Sequence, residues 1–253
     1  DVQFSRYLFS GQTEEIILTG MVILASPVGE YDKRVVILTK ERGLITAFAK
    51  GAKRPKSQFS ASTRPFSFGK FTVYEGKNAY NLVNTEIENY FEEIMEDMDR
   101  ISYGFYFLEL AQYFGVENME SKNMLLLLYQ SLRALIHPSL DNRLVRRIYE
   151  LKMLCFHGEY PGMFECMKCG KKEKLDGFSI VYNGVLCGNC HSADKLELDT
   201  STIYTMQYVI ASEISKLFTF QVSENVLTEF GMVMNRFLSV YTDKVFHSLE
   251  MLE

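Results

Sequence analysis

The chain has 253 residues, 47% of them hydrophobic and 23% charged, with a net charge of −5 at pH 7. That length exceeds one ordinary domain, and the composition is that of a soluble globular protein with a real core. The most apolar run, Met124 to Tyr129, is far below the roughly 20 residues of a bilayer span, which excludes a membrane-spanning helix and a membrane partner.

The first twelve residues, DVQFSRYLFSGQ, hold no apolar stretch long enough for a signal peptide. They also lack an initiator Met, which suits an expression remnant as well as it suits natural sequence. Residues 1–15 are therefore set apart as an N-terminal extension without a function. The expected compartment is cytoplasmic and reducing, where paired cysteines favour a metal over a disulfide.

The net charge hides a split. Residues 20–82 carry eleven Lys/Arg against four acids, a balance of +7, whereas residues 83–253 carry fifteen bases against twenty-five acids, a balance of −10. A basic module joined to an acidic one points to nucleic-acid contact by the basic half.

Residues 16–85 have a β pattern. TEEIILTGMVILAS, RVVILTK, LITAFAK, FGKFTVYEG and NAYNLVNTE predict five strands, with short turns at Gly43 and around Gly76–Asn78. Five strands in about 70 residues, with no helical period between them, predict a small barrel of the OB-fold type, which often binds single strands.

Between the third and fourth strands runs AKGAKRPKSQFSASTRPF, with Lys50, Lys53, Arg54, Lys56 and Arg64 but no acid. It reads either as a solvated surface loop or as a mobile, phosphate-neutralising one. Lys33, Arg34, Lys40 and Arg42, on neighbouring strands and turns, favour a binding face. Phe59 and Phe66 either stack on bases or anchor their own loop.

From residue 86 the period becomes helical, and 86–162 with 198–253 read as one helical domain. EIENYFEEIMEDMDRISYGFYFLELAQYFG predicts one or two helices stopping at Gly115. SKNMLLLLYQSLRALIHP predicts another, capped at Ser121 and ended by Pro138. In DNRLVRRIYELKMLCFHG, Leu144, Ile148, Leu151 and Cys155 form one apolar stripe, with Arg143, Arg146 and Arg147 off it. These arginines are either a solvated face, with Arg146 pairing with Glu150, or an anion site for a partner's carboxylates. A last long helix places Val226, Phe230, Val233 and Phe237 on one face.

Residues 163–197 interrupt the helices with two Cys-x2-Cys pairs. Cys166 and Cys169 are separated by seventeen residues from Cys187 and Cys190, the four-thiolate zinc spacing. Gly170 and Gly188 ease the two knuckles, and FSIV and VLC across YNG predict a hairpin between them. Four thiolates close a tetrahedral site, so one Zn2+ is expected in a structural role, with no open position for water or substrate. His157 and Glu159 ahead of Cys166 imitate a deaminase signature, but Glu165 replaces the required Pro and the spacing is too short. Phosphate-loop and nucleophile-elbow motifs are absent, so no catalytic residue is assigned.

The fold class is therefore α+β and multi-domain: a barrel, then a helical domain carrying an inserted zinc ribbon. In this order of parts, the run KGAKRPKSQFSASTRPFSFG, the segment NRLVRRIYELKMLCFHGEYP and the knuckle GVLCGNC, the chain resembles the bacterial recombination-repair mediator family RecO from residue 16 onward. Some members of that family lack the cysteines. The resemblance implies a non-enzymatic mediator that binds single- and double-stranded DNA and anneals complementary strands. It further implies contact with the C-terminal tail of single-strand DNA-binding protein and with RecR, and help in loading RecA.

On that resemblance, Lys33, Arg34, Lys40, Arg42, Lys50, Lys53, Arg54, Lys56 and Arg64 are the expected DNA face. The tail is acidic and ends in Phe, and Arg146, Arg147 and Lys152 are its expected cations. A cytoplasmic, nucleoid-associated location is implied as well. The rival readings are a nucleic-acid-processing enzyme, a nuclease or modification enzyme with a structural zinc ribbon, and a transcription-type interaction module built on the ribbon.

Overall fold

A computed structural model describes residues 14–252, so all but the last two residues of the extension read at 1–15 lie outside the described residues. The described residues form two compact units. One runs to Tyr90 and includes residues 117–120; the other comprises Phe91–Val116 and the chain from Ser121 onward.

The first unit is a closed five-stranded barrel in the order β1-β2-β3-β5-β4, the OB-like arrangement expected. Its strands are β1 (Glu15–Val28), β2 (Asp32–Thr39), β3 (Gly43–Ala49), β4 (Phe68–Glu75) and β5 (Tyr80–Asn89). β1 is long enough to serve two neighbours. Its residues 15–21 pair with β4 and its residues 20–28 with β2, antiparallel in both cases.

The turn from one partner to the other falls at Gly20, which lies opposite Gly69. A Cβ on Gly20 would come within 2.7 Å of the Leu38 carbonyl oxygen, so a side chain there is excluded. A short parallel pairing of Ala47 and Phe48 with Tyr80 and Asn81 closes the barrel. β5 continues to Asn89, beyond the onset of helical period expected at residue 86. Exposed and half-buried residues alternate through Thr85–Asn89, and Ile87 packs on the barrel core.

That core includes Leu18, Val22, Val35, Ile37, Phe71 and Val73, joined by Ala52 and Phe59 from the β3–β4 connection. The connection is therefore built into the barrel rather than hung from it. It contains a single helical turn, α1 (Phe59–Ser62). Its far end is stapled to β1 by two backbone bonds, Phe66 N–H to Val22 O and Val22 N–H to Ser67 O, both 3.0 Å.

The second unit contains α2 (Met98–Phe114), α3 (Lys122–Ile136), α4 (Asn142–His157), α5 (Thr200–Ala211) and α6 (Glu224–Tyr241). The side chains of Asp97, Asp141, Asp199 and Ser223 cap the first turns of α2, α4, α5 and α6. α4 is the hub and packs on α2, α3, α5 and α6. Its expected stripe is real at Leu144, Ile148 and Leu151, while Cys155 is only half-buried. The stripe is also too narrow a description, because Val145, Tyr149, Glu150, Met153 and Leu154 are buried on the other faces. Tyr149 stacks on Phe107 at 4.3 Å and donates to its carbonyl at 2.8 Å. α6 buries Val226, Phe230, Val233 and Phe237 as read from the sequence.

Between α4 and α5 lies a three-stranded ribbon, β7-β6-β8, made of β6 (Leu175–Ser179), β7 (Gly184–Cys187) and β8 (Leu196–Glu197). It is tied to the helices. Phe178 meets Phe237 edge-on at 6.2 Å, Gln207 Nε2 donates to Met163 O at 2.7 Å, and Arg236 Nη1 donates to Asp194 O at 3.3 Å. Among the described residues, no helix is long and apolar enough to cross a membrane.

Candidate nucleic-acid interface, anion groove and metal centre

The nine cations expected on the barrel divide into two groups. Lys33 and Arg34 begin β2, where Lys33 lies opposite Ala49. Lys50 follows β3, and Lys53, Arg54, Lys56 and Arg64 lie along the connection. These seven belong to one end of the barrel. Lys40 and Arg42 sit on the β2–β3 turn, at the other end of β2. Six to seven residue steps at about 3.3 Å each put about 20 Å of strand between Lys33 or Arg34 and Lys40. Arg42 is also engaged there: Nη1 donates to Tyr80 Oη at 2.7 Å and lies 3.9 Å from Glu75. The structure thus does not make one surface of all nine.

The first group is held closely against the β1–β2 turn. Lys53 N–H donates to Tyr31 O at 2.8 Å, and Gly51 N–H donates to Asp32 Oδ1 at 2.7 Å. Lys33 Nζ donates to Thr63 Oγ1 at 3.1 Å. Partial burial lowers the Lys33 pKa, and the nearby Arg64 charge lowers it further. Two cations kept close in this way are relieved by an anion between them.

Phe59 and Phe66 are only 7% and 2% exposed, so they anchor the loop and do not face bases. Among the described residues of the barrel unit, the exposed aromatics are Tyr31 and Tyr90, which sequence reasoning passed over. Arg54 lies over the Tyr31 ring at 5.0 Å and Arg64 over the Tyr90 ring at 5.9 Å. The available signal for Tyr31 was its place at a turn tip, in GEYDK, where a side chain has no core to enter.

On the helical unit, α4 carries a buried charge network. The Glu150 carboxylate is fully buried and accepts from Tyr106 Oη (2.8 Å), Arg146 Nε (2.8 Å) and Arg147 Nη1 (3.0 Å). Burial pushes its carboxyl up, but the charges of Arg147 and Arg146 outweigh this and bring the pKa below the ordinary Glu value. Two guanidinium groups over one carboxylate leave one net positive charge. Arg143 differs: it is chelated by Asp141 and Glu224 and has no positive charge to spare.

Arg146 and Arg147 line a groove of about 840 Å³ whose apolar wall includes Tyr106, Leu238, Phe246 and Leu249. Lys152, expected to join them, does not. It is buried, and Nζ donates to Val209 O, Ile210 O and Ser212 O at 3.2, 2.9 and 2.6 Å. It closes the carbonyl end of α5.

Sequence reasoning also missed Gly231 on α6. A Cβ there would lie 3.3 Å from Arg147 Nε and Nη2, so the missing side chain lets the guanidinium lie flat on the helix. A glycine inside an otherwise regular helical period was the available sign.

In the ribbon, the Sγ atoms of Cys166, Cys169, Cys187 and Cys190 lie within 4.8 Å of one another and can hold a metal ion. The Cys169–Cys187 separation is 3.7 Å, close to the edge of a sulfur tetrahedron with zinc–sulfur bonds of about 2.3 Å. Burial raises the Cys166 thiol, but the N–H groups of Cys187, Cys169 and Lys168 overcome this and bring it below the ordinary cysteine value, whereas burial and the three neighbouring thiols push Cys190 up. Gly170 takes φ +74°, and its N–H closes the first knuckle onto Cys166 O at 2.8 Å. Gly188 does not need a left-handed backbone; its Cβ would sit 2.8 Å from Asp176 Oδ2.

Residues 14–91 match the family described as Recombination protein O N terminal, and residues 95–250 match Recombination protein O C terminal. A DNA repair protein RecO from Acetivibrio thermocellus is 30% identical over 239 residues, covering 93% of this chain and 95% of that protein. The protein of the same name from Alkaliphilus metalliredigens is 30% identical over 235 residues, with 91% and 96% covered. One from Bacillus pumilus is 32% identical over 225 residues, with 88% of each chain covered.

Proposed function

The chain belongs to the RecO family of DNA repair proteins, and from that premise we propose that it is a recombination mediator working without catalysis. In this reading it binds single- and double-stranded DNA through the basic end of its barrel and anneals complementary strands. It holds the acidic tail of single-strand DNA-binding protein on its helical unit, and with RecR it assists the loading of RecA, in the bacterial cytoplasm at the nucleoid. The ion in the four-thiolate site is zinc and is structural, because it holds the two knuckles together and leaves no ligand position for chemistry.

The observation that carries the reading is the gathering of seven cations around one barrel end, five of them on a connection without an acid. Such a face attaches to phosphates quickly and without reading sequence. The groove beside Arg146 and Arg147 suits an acidic peptide ending in an aromatic residue: guanidiniums for carboxylates, an apolar wall for the ring. Holding the tail of a protein that coats the strand raises that protein's local concentration at the DNA face, so its displacement needs no chemical step.

Pure protein mixed with complementary labelled strands and Mg2+ tests the reading. Full-length duplex should form with no shortened or modified product. Shortened strands would instead identify a nucleic-acid-processing enzyme.

Gly231→Ala tests the groove. Alanine favours the helix by roughly 1 kcal/mol, yet its Cβ, 3.3 Å from Arg147 Nε and Nη2, makes that guanidinium shift by a few tenths of an ångström. The affinity for an acidic peptide ending in Phe should fall about two- to tenfold, the weight of one weakened charge-assisted bond, with DNA binding unchanged. Unchanged or tighter peptide binding, by titration calorimetry, refutes Arg147 as a tail contact.

A further inference from the structure

We propose that Tyr31 and Tyr90 are two stacking platforms for unpaired nucleobases, and that they let the barrel prefer single strands to duplex. This inference rests on the reading of the basic barrel end as the DNA face. Tyr31 is 42% exposed and Tyr90 37% exposed, among buried aromatics such as Phe59, Phe66 and Phe71. Each ring has an arginine of the same connection over it, Arg54 at 5.0 Å and Arg64 at 5.9 Å.

The connection does not need these rings to stay in place. Backbone bonds to Tyr31 O and Val22 O, the Gly51 N–H bond to Asp32, and the burial of Ala52 and Phe59 already fix it. A guanidinium on one face of a tyrosine leaves the other face to a base, and the same cation is placed for the adjoining phosphate. Lys33 links the two stations. It follows Tyr31 by two residues, and it bonds Thr63 beside Arg64.

Every base offers a π face, so stacking of this kind tolerates any sequence. In duplex DNA those faces are covered by neighbouring pairs, leaving only the phosphate contacts. Two fixed bases would also leave the rest of the strand free to find its complement.

The test compares a dT oligonucleotide with an abasic strand of equal length, which carries the same phosphates. Wild-type protein should bind dT more tightly. Tyr31→Ala and Tyr90→Ala should each weaken dT binding by about fivefold or more and leave abasic-strand and duplex binding unchanged. Tyr31→Phe and Tyr90→Phe should behave like wild type. Equal losses on dT and abasic strands, or no loss on either, overturn the proposal. A Lys53→Glu, Arg54→Glu, Lys56→Glu protein separates the levels. If it binds DNA normally, the reading of the barrel end falls; if it fails to bind while the alanine variants bind normally, only the stacking platforms fall.

Discussion

Reversing Lys53, Arg54 and Lys56 to Glu is expected to lower single-strand affinity about a hundredfold near 0.1 M salt. Each phosphate contact on a single strand contributes roughly 0.7 to the slope of log K against log salt. Three lost contacts therefore amount to about two log units one decade below 1 M salt, and the slope itself should fall by about two. The three residues are exposed on a connection whose backbone is anchored elsewhere, by Ala52, Phe59 and Phe66. The barrel should therefore keep its fold, and circular dichroism would check this.

Lys40→Glu with Arg42→Glu is the matched control. These two lie at the other end of β2, and Arg42 is already bonded to Tyr80 and paired with Glu75, so a much smaller loss is expected. Equal losses from both sets would mean that net charge, not a face, governs binding. No loss from the first set would remove the connection from the DNA-binding surface.

Loss of the ribbon's metal should destabilise the helical unit and spare the barrel. Metal analysis should find one zinc per chain, and Cys187→Ser or a chelator should remove it. Structural zinc contributes roughly 10–16 kcal/mol of apparent binding energy in small peptides, comparable to or above the whole stability of an ordinary domain. The ribbon has only short strands and a few buried apolar residues, among them Leu175, Phe178, Val185 and Leu186. Without the ion it should unfold and leave Phe237 on α6 without Phe178. The loss of one large buried contact costs about 3–5 kcal/mol. In a unit of this size each kcal/mol lowers the melting temperature by about 2–4 °C, so a drop of about 6–20 °C is expected for the helical transition. DNA affinity measured below that transition should stay near wild type. Parallel loss of DNA binding and helical stability would refute a separate structural ribbon.

The parts legible in the sequence were those set by local rules. Strand alternation marked the barrel strands, helical period marked the buried face of α6, and the spacing of Cys166, Cys169, Cys187 and Cys190 marked the ribbon, because in each case neighbours along the chain determine the pattern. The charge of the 50–67 connection was equally plain.

Tertiary structure decided which side chains are free to act. Phe59 went into the barrel core, Phe66 was buried beside β1, and Tyr31 and Tyr90 stayed out, since burial depends on contacts tens of residues away. Lys152 was taken by three carbonyls at the end of α5, Arg143 by Asp141 and Glu224, and Arg42 by Tyr80 and Glu75, all partners brought close by folding except Asp141. Arg146 and Arg147 remain as one aligned pair because Glu150 is buried between them and Gly231 leaves room. A cation's type is written in the sequence. Whether its charge is already spent depends on which distant carboxylates and carbonyls the fold brings within about 3 Å of it.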